Sequence, residues 1–220
     1  MSRELQNVRV KNIQKDLIHM SSLVEKQLYE SMVCLKNYDI DKIDDVIKND
    51  DVVDNMQKKI EEECVKFIAT EQPLATDLRR VFAASKIVTD LERMADHAVD
   101  ICKLTKRIGR SLSVFNGNLD ELWDMDRKIR SMISCATDAY IKNDIELAYN
   151  ICKEDDAIDK LYKSLFDKTI KVIKEKENLI NDGAQLLFAI KYLERIADHV
   201  TNICEWTIFS KDGIYVDLNE

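Results

Sequence analysis

Four pairs of acidic residues stand four positions apart in this chain: Asp50 with Asp54, Glu92 with Asp96, Asp155 with Asp159, and Glu194 with Asp198. On a helix each residue turns the chain by about 100°, so a spacing of four puts both carboxylates on one face, one turn apart. Two ionised carboxylates so placed repel each other by roughly 0.2–0.5 kcal/mol in an isolated helix. A shared cation would turn that repulsion into chelation. Oxygen donors of this type suit magnesium, manganese or iron, and zinc also accepts carboxylate ligands.

The surroundings of the pairs sharpen the choice between a solvated acidic face and a site. Asp155 and Asp159 interrupt an apolar stripe of Ile151, Ile158, Tyr162, Leu165 and Phe166, and Asp50 and Asp54 follow Ile43 and Ile47. Ionised groups beside a core stripe cost desolvation energy unless they are paired or metal-bound. Arg93 and Arg195, each next to an acid, offer the electrostatic alternative to a metal. His97 and His199 follow Asp96 and Asp198 by one residue, which turns them about 100° away. They are read as packing or hydrogen-bonding groups rather than ligands.

Other chemistry is scarce. The chain has no phosphate-cradling glycine loop, no G-x-S-x-G elbow and no H-E-x-x-H helix, and four glycines in all leave no nucleotide-binding loop. The Glu-x-x-His motif of carboxylate-bridged dinuclear oxidases is also missing. A non-enzymatic binding protein is therefore the leading reading, with a metal-dependent bundle enzyme acting on phosphate esters or oxygen as the alternative. Forty-one acids against 33 bases give a formal charge of -8, which argues against nucleic acid as a partner.

The elements that must hold these acids are helices. A single proline and four glycines cannot supply the reversals of a β protein, and apolar residues recur at three- and four-residue intervals almost throughout. Six segments follow. The first carries Val10, Ile13, Leu17, Met20, Val24, Leu28, Met32 and Leu35, and ends at Asn37-Tyr38-Asp39, whose aspartate can cap the second. The second runs to about Thr70, and Pro73 places the start of the third near Leu74. The third ends near Gly109, before a connection that contains Ser111, Ser113, Asn116, Gly117 and Asn118. The fourth spans about Leu119 to Lys142, the fifth reaches about Lys176, and the sixth runs from near Ala184, after Gly183, to Phe209. Beyond Lys211 the tail is expected to be short and loose.

An internal repeat organises the six. Leu91-Glu92-Arg93-Met94-Ala95-Asp96-His97 returns as Leu193-Glu194-Arg195-Ile196-Ala197-Asp198-His199, and Ile101-Cys102 as Ile203-Cys204, at an offset of 102 residues. Asp50-Asp51-Val52-Val53-Asp54 is echoed by Asp155-Asp156-Ala157-Ile158-Asp159 at an offset of 105. The expected fold is all-α: six long antiparallel helices in two tandem, similar three-helix bundles, over residues 1–110 and 118–210, with a tail at 211–220.

No stretch approaches the roughly 20 apolar residues of a membrane span, and Met1-Ser2-Arg3-Glu4 does not open a signal peptide, so a cytoplasmic location is expected. The six scattered cysteines, with no C-x-x-C pair, read as reduced and buried.

Gln72-Pro73-Leu74-Ala75-Thr76-Asp77-Leu78-Arg79 and Lys86-Ile87-Val88-Thr89-Asp90-Leu91-Glu92-Arg93-Met94-Ala95-Asp96-His97 closely resemble the PhoU family of phosphate-signalling regulators. Tyr192 to His199, followed by Asn202-Ile203-Cys204-Glu205, is similar to that family's second motif copy. The resemblance covers essentially the whole chain. It implies a non-enzymatic negative regulator of phosphate uptake and phosphate-starvation genes, and a homodimer. Its implied partners are the ATPase subunit of the high-affinity phosphate transporter and a membrane sensor histidine kinase, with membrane contact only through them. It also implies iron or zinc, alternatively magnesium or manganese, at Glu92, Asp96, Glu194 and Asp198, with Asp50, Asp54, Asp155 and Asp159 completing each site.

Overall fold

The computed structural model describes residues 3–115 and 119–218, and among them all regular structure is helical. Six long helices follow one another: α1 (Arg3–Asn37), α2 (Ile40–Glu71), α3 (Ala75–Ile108), α4 (Asp120–Lys142), α5 (Ile145–Glu175) and α6 (Ile180–Asp212). Short 3-10 turns at Leu112–Phe115 and Glu177–Leu179 precede α4 and α6. Asn116, Gly117 and Asn118, expected in the joint between the halves, and the start of the second bundle at 118 lie outside the described residues.

Local chemistry sets the breaks. The Asp39 carboxylate accepts from Lys42 N at 3.2 Å to cap α2, and Asp144 does the same for α5 through Leu147 N at 3.0 Å. Between α4 and α5, Asn143 takes a left-handed conformation (φ 51°), which its short polar side chain tolerates. Pro73 sits in the tight link between Gln72 and Leu74, where its missing N–H costs no helix bond.

α1, α3, α6 and α4 make a central four-helix layer, with α3 against α6 and α1 against α4. α2 covers one side by packing on α1 and α3, and α5 covers the other by packing on α4 and α6. One apolar core runs through both halves. The repeat extends further than its motifs. Leu17, Met20, Val24 and Leu28 of α1 correspond at the 105-residue offset to Leu122, Met125, Ile129 and Ile133 of α4, all buried, and Val53 and Ile60 of α2 to Ile158 and Leu165 of α5.

Three expectations are corrected at α6 and the tail that follows it. Gly183 does not precede the helix but lies in its first turns, because a Cβ there would come within 2.4 Å of Ile173 Cγ1 on α5. Glycine thus permits close approach instead of a break. The helix also continues past Phe209 to Asp212, and the described part of the tail is not loose. Gly213 (φ 73°) turns it back, Tyr215 stacks on Phe209 with centroids 4.4 Å apart, and Leu218 N donates to Glu205 Oε1 at 2.7 Å. The six cysteines are free thiols, and burial pushes Cys64 and Cys102 up to about 12.

Candidate metal centres on the outer helix pairs

The eight acids fall into two groups, one between α2 and α3 and one between α5 and α6. In the first, buried Val46, Val53 and Ile60 fix the rotation of α2, which leaves Asp50 and Asp54 on the border with α3. Burial pushes the Asp50 carboxyl above its ordinary range, and the fields of Asp54 and Asp96 add to this. Against both, Gln27 Nε2 of α1 donates to Asp50 Oδ1 at 2.8 Å. Glu92 is likewise raised, by burial first and then by Asp96, Asp54 and Asp50. Arg93 Nη1 donates to Asp96 Oδ2 at 3.1 Å and its Nε lies 3.5 Å from Glu92 Oε2. That oxygen is nevertheless buried without a hydrogen bond.

The second group is less well compensated. Burial, followed by Asp198, Asp159 and Glu194, pushes Asp155 up to about 7. Asp198 is raised by burial and then by Glu194. Lys191 pairs with Glu194, but among the described residues no hydrogen bond reaches Asp155 and Arg195 forms no ion pair. The sequence explains the difference: at the 105-residue offset the position of Gln27 is held by Met132, which is buried and has no amide to donate.

Between the two groups, α3 and α6 meet through their histidines. His97 stacks on Tyr192 with centroids 5.2 Å apart, and the two imidazoles stand 5.8 Å apart. His199 Nδ1 and Asn202 Nδ2 reach Asp90 Oδ1 at 2.9 and 3.0 Å. Burial, then His199 and Arg195, lowers His97 to about 4, so this ring is neutral at neutral pH. These are contacts of the seam between the halves, in keeping with the packing role expected of them.

The donor chemistry fits a hard cation. All eight groups are carboxylates, burial and neighbouring acids raise Asp50, Glu92, Asp155 and Asp198, and one buried Glu92 oxygen has no donor. Among the described residues, no three His, Cys, Asp or Glu side chains converge closely enough to hold one ion. Gln27, Lys191 and Asp90 are the participants that motif reading passed over. Gln27 was recoverable by extending the 105-residue offset into the first helix and Lys191 from its i, i+3 spacing to Glu194, whereas Asp90 acts across α3 and α6 and left no local signal.

The family model described as PhoU domain matches residues 17–105 and again residues 122–207. The chain belongs to the PhoU family. The two matched segments begin 105 residues apart and end 102 apart, the same offsets that relate the helices and the acid pairs. Among PhoU relatives, a Clostridium acetobutylicum protein named phosphate-specific transport system accessory protein PhoU homolog is 42% identical over 221 residues, covering 100% of both chains. The Escherichia coli protein named phosphate-specific transport system accessory protein PhoU is 31% identical over 94% of this chain and 85% of its own. The crystal structure of the phosphate transport system regulatory protein PhoU from Streptococcus pneumoniae superposes with a TM-score of 0.88 at 27% identity, over 96% of this chain and 99% of that one. Among the described residues, no helix is long and apolar enough to cross a membrane.

Proposed function

We propose that this PhoU protein is a non-enzymatic cytoplasmic regulator of phosphate uptake and phosphate-starvation signalling. It acts as a metal-binding adaptor on the transporter's ATPase subunit and on a membrane sensor kinase. The observation that carries the reading is the duplication itself. Two acid clusters, related by the same offsets as the two PhoU matches, sit where an outer helix meets the central layer. Relatives spanning the full chain are named accessory proteins of phosphate-specific transport.

Asp50, Asp54, Glu92 and Asp96 would hold one metal site, and Asp155, Asp159, Glu194 and Asp198 the other. A bound iron, zinc, magnesium or manganese ion supplies positive charge to carboxylates that otherwise repel. Each set takes its members from two helices, so closing the set fixes the outer helix on its neighbour. This gives a partner a defined surface to dock on.

The test is co-purification of the tagged chain from phosphate-replete cells. The transporter ATPase or the sensor kinase is recovered with it, and less of either is recovered with a Glu92→Ala/Asp96→Ala/Glu194→Ala/Asp198→Ala variant. Recovery of neither partner, together with metal-dependent turnover of a phosphoester, would replace the adaptor by an enzyme.

A further inference from the structure

The halves differ on their outer faces. On α5, Asp155, Asp159, Tyr162 and Phe166 form one stripe at i, i+4, i+7 and i+11, bordered by Lys163, which lines the same hollow as Tyr162 and Phe166 but makes no ion pair among the described residues. Tyr162 and Phe166 have ring centroids 6.2 Å apart, and Phe166 is 39% exposed. From α6, Lys191 reaches across to hold its ammonium 5.4 Å from the Tyr162 ring centre while pairing with Glu194. Phe188 lies three residues earlier, on the same side of α6, and is 57% exposed. In the first half the corresponding residues are polar. Gln57 stands for Tyr162, Glu61 for Phe166 and Lys86 for Phe188, and Gln57 donates to Glu61 along its own helix.

Large exposed aromatics are not what a solvated face selects, and here they border carboxylates of which one alone, Glu194, has a basic partner. Lys191 also shows that a cation is accommodated between an aromatic ring and an acid on this face. We propose that the α5/α6 face of the second half is a docking surface for a protein segment that combines a large apolar side chain with a lysine or arginine about one helical turn away. The apolar group covers Phe166 and Phe188, and the basic group meets Asp159 beside Tyr162. The first half has no such surface, so the two similar bundles divide the work. An anionic membrane is disfavoured by the same carboxylates.

This inference shares with the adaptor reading only the need for a protein partner. It is tested by placing the photo-cross-linker p-benzoylphenylalanine at position 166 or 188, and at 61 or 86 as controls, in the full chain in living cells. Cross-links from 166 and 188 are expected to map to one segment of another protein with an apolar residue and a nearby lysine or arginine, and the controls to miss it. A synthetic peptide of that segment should bind the purified chain and lose about ten-fold in affinity against Phe166→Ser/Phe188→Ser, or when its basic residue is changed to glutamate. Cross-links to a second copy of the chain, to lipid, to an acidic segment or to nothing would overturn the proposal, as would equal labelling of both halves or unchanged peptide affinity. Recovery of the transporter ATPase without these cross-links would leave the adaptor reading standing and remove this surface. A cross-linked segment from an unrelated protein would do the reverse.

Discussion

Gln27 Nε2 donates to Asp50 Oδ1 at 2.8 Å, and Met132, its counterpart in the second half, gives Asp155 nothing. This difference adds to the ion pairs that, among the described residues, Arg93 makes and Arg195 lacks in separating the two acid clusters electrostatically, because a hydrogen bond to the charged form of a carboxyl favours ionisation. In metal-free protein, Met132→Gln should bring the titration midpoint of Asp155 down from about 7, and Gln27→Met should raise that of Asp50. Carboxyl chemical shifts followed against pH report both. An unmoved Asp155 would mean that the amide cannot reach it.

The same carboxyl sets a pH dependence of stability. A folded midpoint of about 7, against an ordinary value of about 3.9 in the unfolded chain, means that the native state binds the extra proton between those limits. Stability of the metal-free protein therefore falls as pH rises from about 4 to about 7 and levels off above. At roughly 1.4 kcal/mol per unit of midpoint shift, reduced by solvent screening of a half-exposed group, the loss is on the order of 2 kcal/mol. Urea unfolding across this range should show the decline, and Asp155→Asn should flatten it. An unchanged slope in the variant would assign the effect elsewhere.

How far these features could be read in advance depended on whether their cause was local. Helix ends at Asp39 and Asn143, and the acid pairs with their repeat, follow from neighbouring residues and were legible. Gly183 was misread because its reason lies ten residues back, in Ile173 of α5 packed against it. The tail was misread because Tyr215 gains its partner, Phe209, only after Gly213 reverses the chain. The gathering of α2 acids with α3 acids was expected from the family resemblance, whereas the greater strain on Asp155 depends on what stands opposite it on α4.

Gly183 offers a test of close helix packing. Gly183→Ala puts a methyl group into Ile173, which should cost about 1–3 kcal/mol as the isoleucine shifts. In an Ile173→Ala background the added cost should largely vanish, because the space is then free. Denaturant midpoints of the four proteins in this double-mutant cycle measure the coupling, and additivity would contradict the contact.

Tyr140 ties α4 to α3: its ring is buried and its hydroxyl donates to Arg80 O at 2.7 Å. Tyr140→Phe should cost about 1 kcal/mol for the lost hydrogen bond, and Tyr140→Ala about 3–5 kcal/mol for the cavity. Thermal or urea unfolding distinguishes the two, and a neutral alanine variant would show that the halves do not depend on this contact.

The central claim is that the two carboxylate clusters hold metal independently. Elemental analysis of the purified chain, beside Glu92→Ala/Asp96→Ala, Glu194→Ala/Asp198→Ala and the four-fold variant, tests it most directly. The account predicts that each double variant loses the metal of its own half and keeps that of the other, with helical content preserved by circular dichroism and no metal left in the four-fold variant. Undiminished metal in all the variants, or a wild-type chain that takes up none when offered iron, zinc, magnesium or manganese, would contradict it.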